Sequence, residues 1–135
     1  MTHRNVFIAG ATGYIGRVLI PRLIERGHEV RALVRQGSER KLPAGCQAVI
    51  GNALDASTFA DRVRPSDTFV QLVGVPHPSP AKAAEFRSID LASARASVSA
   101  AAGAGVEHFV YVSVAQPSPV MKAYQTARRR REDDS

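Results

Sequence analysis

Short apolar runs alternate with longer amphipathic stretches along the 135 residues. Val6-Phe7-Ile8-Ala9 is continuously apolar and stops at Gly10, the pattern of a strand buried on both faces. From Tyr14 to Arg26 the period lengthens. Ile15, Leu19 and Leu23 recur every four residues, Val18, Ile20 and Ile24 widen the stripe, and Gly27 can supply the left-handed residue that ends a helix. Pro21 conflicts with this helix, since it removes a backbone hydrogen bond and should bend the axis. His28 to Val34 reads as a second strand, Gln36 to Lys41 as a polar turn, and Gln47 to Ile50 as a short third strand ended by Gly51. Asp55 is placed to cap a helix over Ala56 to Val63 that stops before Pro65. Thr68 to Val73 is the fourth strand, ending at Gly74, and Pro76, Pro78 and Pro80 make the next stretch a loop. An alanine-rich helix is predicted over Lys82 to Ala102, ending at Gly103 or Gly105, then a fifth strand over Val106 to Val114. Ser118-Pro119 opens a last helix carrying Met121 to about Arg131.

Strands that alternate with helices pair in parallel through right-handed crossovers. The expected fold class is α/β, a doubly wound parallel sheet of about five strands in the order 3-2-1-4-5. Its ligand crevice lies where that order reverses, beside the carboxyl ends of strands one and four.

Composition narrows the picture without redirecting it. Apolar residues at 44% and charged residues at 22% are ordinary for a globular domain. No apolar run reaches the roughly 18–20 residues that span a bilayer, and the N-terminus has no signal-peptide layout. Cys46 stands alone, which excludes an internal disulfide and makes a reducing cytoplasm the default; His3, His28, His108 and Cys46 show no metal-ligand spacing. The last eight residues hold four arginines and three acids; without them 14 basic and 9 acidic residues remain, a net charge still near +5. Such a surface attracts anions, but the arginines are not interleaved with aromatics and no nucleic-acid module is present.

The chemistry concentrates in Gly10-Ala11-Thr12-Gly13-Tyr14-Ile15-Gly16, between the first strand and the first helix. Gly10 lets the chain turn off the strand, Gly13 lets a diphosphate approach the backbone, and Gly16 lets the helix pack tightly on the sheet. Exposed N–H groups and the positive helix end then hold the anion. The alternative is a tight turn made by three glycines. The spacing is wrong for an ATPase loop, because Arg17-Val18 comes after Gly16.

This loop resembles that of the extended and atypical short-chain dehydrogenase/reductase superfamily, closest to its NmrA-like and NAD(P)H-binding epimerase-like branch. The likeness extends over His28 to Arg35, Gly51-Asn52-Ala53-Leu54-Asp55 and Gly105 to Ser113, and so covers most of the chain to about Ala127. It implies a Rossmann-like NAD(P)-binding domain over residues 1–127, with 128–135 a charged tail that could continue the last helix. It also implies that Gly10, Thr12, Gly13, Tyr14, Ile15 and Gly16 hold the cofactor diphosphate. Asn52, Ala53 and Leu54 would then lie near the adenine, and Val73, Gly74 and Val75 would run under the cofactor. Relatives usually continue through a further strand and a small substrate lobe, so the chain reads as truncated, with the fifth strand an uncovered edge.

An NAD reader places an acid about 20 residues past the glycines; here Arg35 ends the second strand, and a guanidinium suits the 2′-phosphate of NADP. Arg40 and Lys41 could add charge, and a solvated strand end is the alternative for Arg35. NADP is therefore preferred, with NAD left open. For catalysis the resemblance points to Ser113 and to Tyr124, but Arg128 stands where relatives carry lysine, and arginine cannot shuttle a proton. Arg128 still shares a helix face with Tyr124. Ser113 as a satisfied strand-end hydroxyl and Tyr124 as a packed helix residue are the competing readings. Three functions are compatible with these residues: an NADP-dependent oxidoreductase or epimerase-like enzyme on a small carbonyl or sugar-like substrate; a non-catalytic NADP-binding sensor or assembly factor; or a protein- or nucleic-acid-binding role driven by charge. Homo-oligomerisation and the substrate are left open.

Overall fold

A single parallel sheet organises the chain. The computed structural model describes residues 3–72 and 83–112, with backbone alone at residue 14 and at residues 83–90. Its strands are β1 (Asn5–Ala9), β2 (Glu29–Val34), β3 (Gln47–Ile50), β4 (Thr68–Gln71) and β5 (His108–Tyr111). They lie side by side in the order β3-β2-β1-β4-β5, as the alternating pattern predicts. Helix α1 (Tyr14–Glu25) covers one face, and α2 (Ala60–Val63) with α3 (Ala83–Ala104) belongs to the other.

Side-chain alternation along each strand divides the core in two. Val6 and Ile8 of β1 join Ile20, Val30, Ala32 and Val70 on the α1 face. Phe7 turns to the other face, in register with Phe69 of β4, which is in register with Phe109 of β5. The rings form one row, with centroids 5.1 Å apart for Phe7–Phe69 and 5.5 Å for Phe69–Phe109, and Phe59 stacks on Phe7 at 5.8 Å. Four of the five phenylalanines thus weld β1, β4 and β5 to the α2 segment. Full burial of each such ring contributes on the order of 1.5–3 kcal/mol.

Both long helices end the same way. Gly27 (φ 87°) and Gly105 (φ 74°) take the left-handed conformation, and the next residue returns to the helix: His28 N–H donates to Leu23 O at 3.1 Å, and Val106 N–H to Ala101 O at 3.1 Å. This corrects two boundaries. His28 and Val106 close helices rather than open strands, so β2 starts at Glu29 and β5 at His108. Helix α1 runs through Pro21 without a break. The expected helix over Ala56 to Val63 divides into a 3₁₀ turn, Ala56–Thr58, and the short α2. Phe59, at φ −140° and ψ −6°, leaves helical geometry between them as its ring enters the core, 1% exposed. Asp55 caps as expected, accepting from Ser57 N–H at 3.0 Å. The proline loop, the end of the fifth strand and the last helix lie outside the described residues.

Candidate functional site

The glycine loop leaves β1 at the point where strand order reverses. Gly10 has φ 84°, so a side chain there would be strained, and its carbonyl accepts from Gly13 N–H at 3.2 Å. Gly13 precedes the helix in extended conformation, with no side chain to cap it, and the first turn of α1 holds no acid. The N–H groups that open α1 are therefore left to an outside acceptor. At Gly13 a Cβ would meet only Gly10 O at 3.4 Å, so the protein itself leaves that approach open. Gly16 has a different task. A Cβ there would run into the Ala11 carbonyl, with Ala11 C at 2.6 Å and Cα at 2.9 Å. The close packing is thus against the backbone of the loop itself, and it fixes how the loop lies on the first helical turn.

Beside this turn is a cavity of about 300 Å³. Gly10 and Thr12 form one wall, Arg35, Ser38 and Lys41 a second, and Gly51, Asn52, Ala53 and Leu54 a third. The walls are three successive strand-to-helix connections, brought together because β1, β2 and β3 are neighbours in the sheet. No acid lines the cavity, and among the described residues Arg35 and Lys41 pair with no carboxylate. The second wall is shaped by its own turn: Ser38 N–H donates to Arg35 O and Lys41 N–H to Ser38 O, both at 3.0 Å, and Glu39 Oε1 accepts from Gly37 N–H at 2.6 Å. Asn52 spends its Oδ1 locally on Leu54 N–H at 2.9 Å.

The predicted cofactor residues divide on this geometry. Gly10, Thr12, Arg35, Asn52, Ala53 and Leu54 converge on the cavity. Ile15 packs into the α1-side core, so any ligand role is left to its backbone N–H. Val73, Gly74, Val75, Ser113, Tyr124 and Arg128 lie outside the described residues. Ser38 and Gly51 are wall residues that the sequence reading passed over; a serine three residues after Arg35, and the glycine ending the third strand, were the available signals. Cys46 is a packing residue: burial raises its thiol pKa, and Sγ donates to Pro43 O at 3.2 Å. Among the described residues no cluster of three or more His, Cys, Asp or Glu could hold a metal, and no helix is long and apolar enough to cross a membrane. A cavity of similar size, about 320 Å³, lies at the other end of the strands, by the amino ends of β1, β2 and β3, and is lined by residues such as His28 and Ser66.

Known proteins resemble this chain in sequence and in fold. Residues 10–133 match the model of a family described as NAD(P)H-binding. Over 120 residues the chain is 35% identical to a 3-diazoavenalumate denitrifying reductase from Streptomyces, a match covering 82% of this chain and 38% of that protein. Over 111 residues it is 28% identical to a 4-hydroxy-2-methyl-3-oxo-4-farnesyl-3,4-dihydroquinoline-1-oxide ketoreductase from Stigmatella aurantiaca, covering 81% of this chain and 33% of that one. The fold superposes on the Bordetella bronchiseptica enzyme WbmG, solved in complex with NAD, with a TM-score of 0.68 at 20% identity, covering 99% of this chain and 50% of WbmG. The chain thus spans between a third and two fifths of the length of these two relatives.

Proposed function

The chain belongs to the NAD(P)H-binding family, and from that premise we propose that it binds NADP in preference to NAD and acts as an oxidoreductase or epimerase-like protein on a small carbonyl or sugar-like substrate. One observation carries the reading: an uncapped, acid-free helix start opens from the Gly10 turn beside a cavity walled by Arg35, Ser38 and Lys41. In this reading the loop from Gly10 to Gly16 and the first N–H groups of α1 hold the diphosphate. Arg35 grips the 2′-phosphate through paired hydrogen bonds, Ser38 adds a hydroxyl and Lys41 adds charge. Asn52, Ala53 and Leu54 flank the adenine, and Val73, Gly74 and Val75 pass beneath the cofactor. A bound nicotinamide supplies hydride transfer. Ser113 orients the substrate oxygen, Tyr124 exchanges a proton with it, and Arg128, four residues on, favours the ionised phenol by its charge. Residues 1–127 form the binding domain, and a reducing cytoplasm suits a chain with one cysteine.

The test compares NADPH and NADH by thermal shift and by titration, in the wild-type chain and in Arg35→Glu. NADPH should give the larger shift with wild type. Arg35→Glu should weaken NADPH binding about tenfold or more, the worth of a lost charge-assisted hydrogen bond, and leave NADH unchanged or better bound. Equal NADPH affinity in the variant would remove Arg35 from the site.

Arg128 supports a second reading. A guanidinium stays protonated where relatives use an ammonium that can relay a proton, which suits an NmrA-like sensor that binds NADP without turnover. Consumption of NADPH with any member of a carbonyl panel would decide for the enzyme; tight binding with no turnover would decide for the sensor.

A further inference from the structure

The third wall of the cavity, Gly51 to Leu54, is a loop with a turn of its own, Asp55 N–H donating to Asn52 O at 3.0 Å and Leu54 N–H to Asn52 Oδ1 at 2.9 Å, and one side chain from beyond it ties that turn down. Thr58 ends the 3₁₀ turn just after it. Its Oγ1 accepts from Asn52 N–H at 2.9 Å. Its single proton goes to the nearer of two carbonyls, Asp55 O at 2.7 Å, with Asn52 O at 3.1 Å as the other acceptor. One hydroxyl therefore ties both ends of the Asn52–Asp55 segment together. Gly51 gives independent evidence of the same closeness: a Cβ there would stand 3.1 Å from Thr58 Oγ1, 3.2 Å from Thr58 O and 3.0 Å from Leu33 Cδ1. Leu33 and Gly51 both line the cavity, whereas Thr58 does not. Asp55 keeps the turn in place through Oδ1, which accepts from Ser57 N–H at 3.0 Å and Ser57 Oγ at 2.7 Å.

We propose that Thr58 is a positioning residue for dinucleotide binding: through its hydroxyl it sets the loop from Gly51 to Leu54 as a preformed wall for the adenosine half of the cofactor. The proposal rests on the dinucleotide reading above and adds a residue that never touches the ligand. Without the clasp, the turn keeps its own bonds but loses its tie to the 3₁₀ segment, its position must be fixed when the ligand arrives, and affinity falls by that cost. Serine preserves the clasp; valine has nearly the shape of threonine but neither donates nor accepts.

The experiment compares wild type, Thr58→Val and Thr58→Ser. Affinities for NADPH and for adenosine 2′,5′-bisphosphate are measured by titration, and amide exchange is followed at Asn52 and, as a control, at Ile8 in β1. Thr58→Val should bind both ligands about three- to tenfold more weakly, the worth of one or two hydrogen bonds. Its Asn52 amide should exchange faster while Ile8 is unchanged, and Thr58→Ser should restore both. Wild-type affinity in Thr58→Val overturns the proposal. So does an unchanged Asn52 amide, or equal acceleration at Ile8, which would make Thr58 a general stability residue. Failure of the wild-type chain to bind either ligand would instead overturn the dinucleotide reading, and any ligand role for Thr58 with it; the exchange comparison would still report whether the clasp forms.

Discussion

Gly16 and Gly103 are both helical glycines, yet they answer to different forces. In α3, a Cβ on Gly103 would meet nothing within 4 Å. Gly103→Ala should therefore gain about 0.5–1 kcal/mol of stability by removing backbone freedom from the unfolded chain. In α1, a Cβ on Gly16 collides with the backbone of Ala11, which cannot rotate aside as a side chain could. Gly16→Ala should lose about 1–3 kcal/mol despite alanine's better helix propensity, and should abolish the NADPH-dependent thermal shift. Urea denaturation of the two variants, read as opposite changes in midpoint, checks the pair. Two stabilised variants would mean that Gly16 does not hold the loop against the helix.

Between elements, the most consequential contact is polar. Gln71, at the carboxyl end of β4, is fully buried; its Nε2 donates to Ser93 Oγ at 2.9 Å, and its Oε1 accepts from Ser97 Oγ at 3.0 Å. The two serines are one helical turn apart on α3, so the amide fixes both the rotation and the height of that helix over the sheet. An apolar side chain would pack there but would leave hydroxyls buried without this partner, which costs more than the net gain of making the bond. Gln71→Met should lower stability by about 1–3 kcal/mol, measured by chemical denaturation; a loss below a few tenths would show that the serines find equal partners elsewhere. The phenylalanine row beside this amide supplies attraction without such directionality.

Over the whole molecule, charge and topology act together. The chain carries a net charge of +6, and the cavity between the β1, β2 and β3 turns has no acid in its lining. A dinucleotide phosphate approaching this corner meets both the general field and the local positive end of α1. NADPH carries one phosphate more than NADH, so its binding should weaken more steeply as salt rises from about 0.05 to 0.5 M, because the screening length shortens as ionic strength grows. Titrations of both cofactors across that range test the point; parallel slopes would mean that the 2′-phosphate stays in solvent.

The apolar runs, the glycine punctuation and the helix-ending glycines made the order of elements and the sheet topology readable from residues alone, because burial and backbone stereochemistry are local demands. The loop from Gly10 to Gly16 was legible for a similar reason, since Gly10 answers a demand of its own backbone and Gly16 packs against a residue only five positions before it. Boundaries such as His28 and Val106 were not, because a residue with strand-like chemistry was claimed by a hydrogen bond back into the preceding helix. Nor could the expected helix over Ala56 to Val63 be seen to break: Phe59 turns into a core built by residues distant in the chain. The walls of the cavity belong to the same class. Ser38, Gly51 and the Thr58 clasp acquire their roles only when three parallel strands set three separate turns side by side, and no local pattern encodes that proximity.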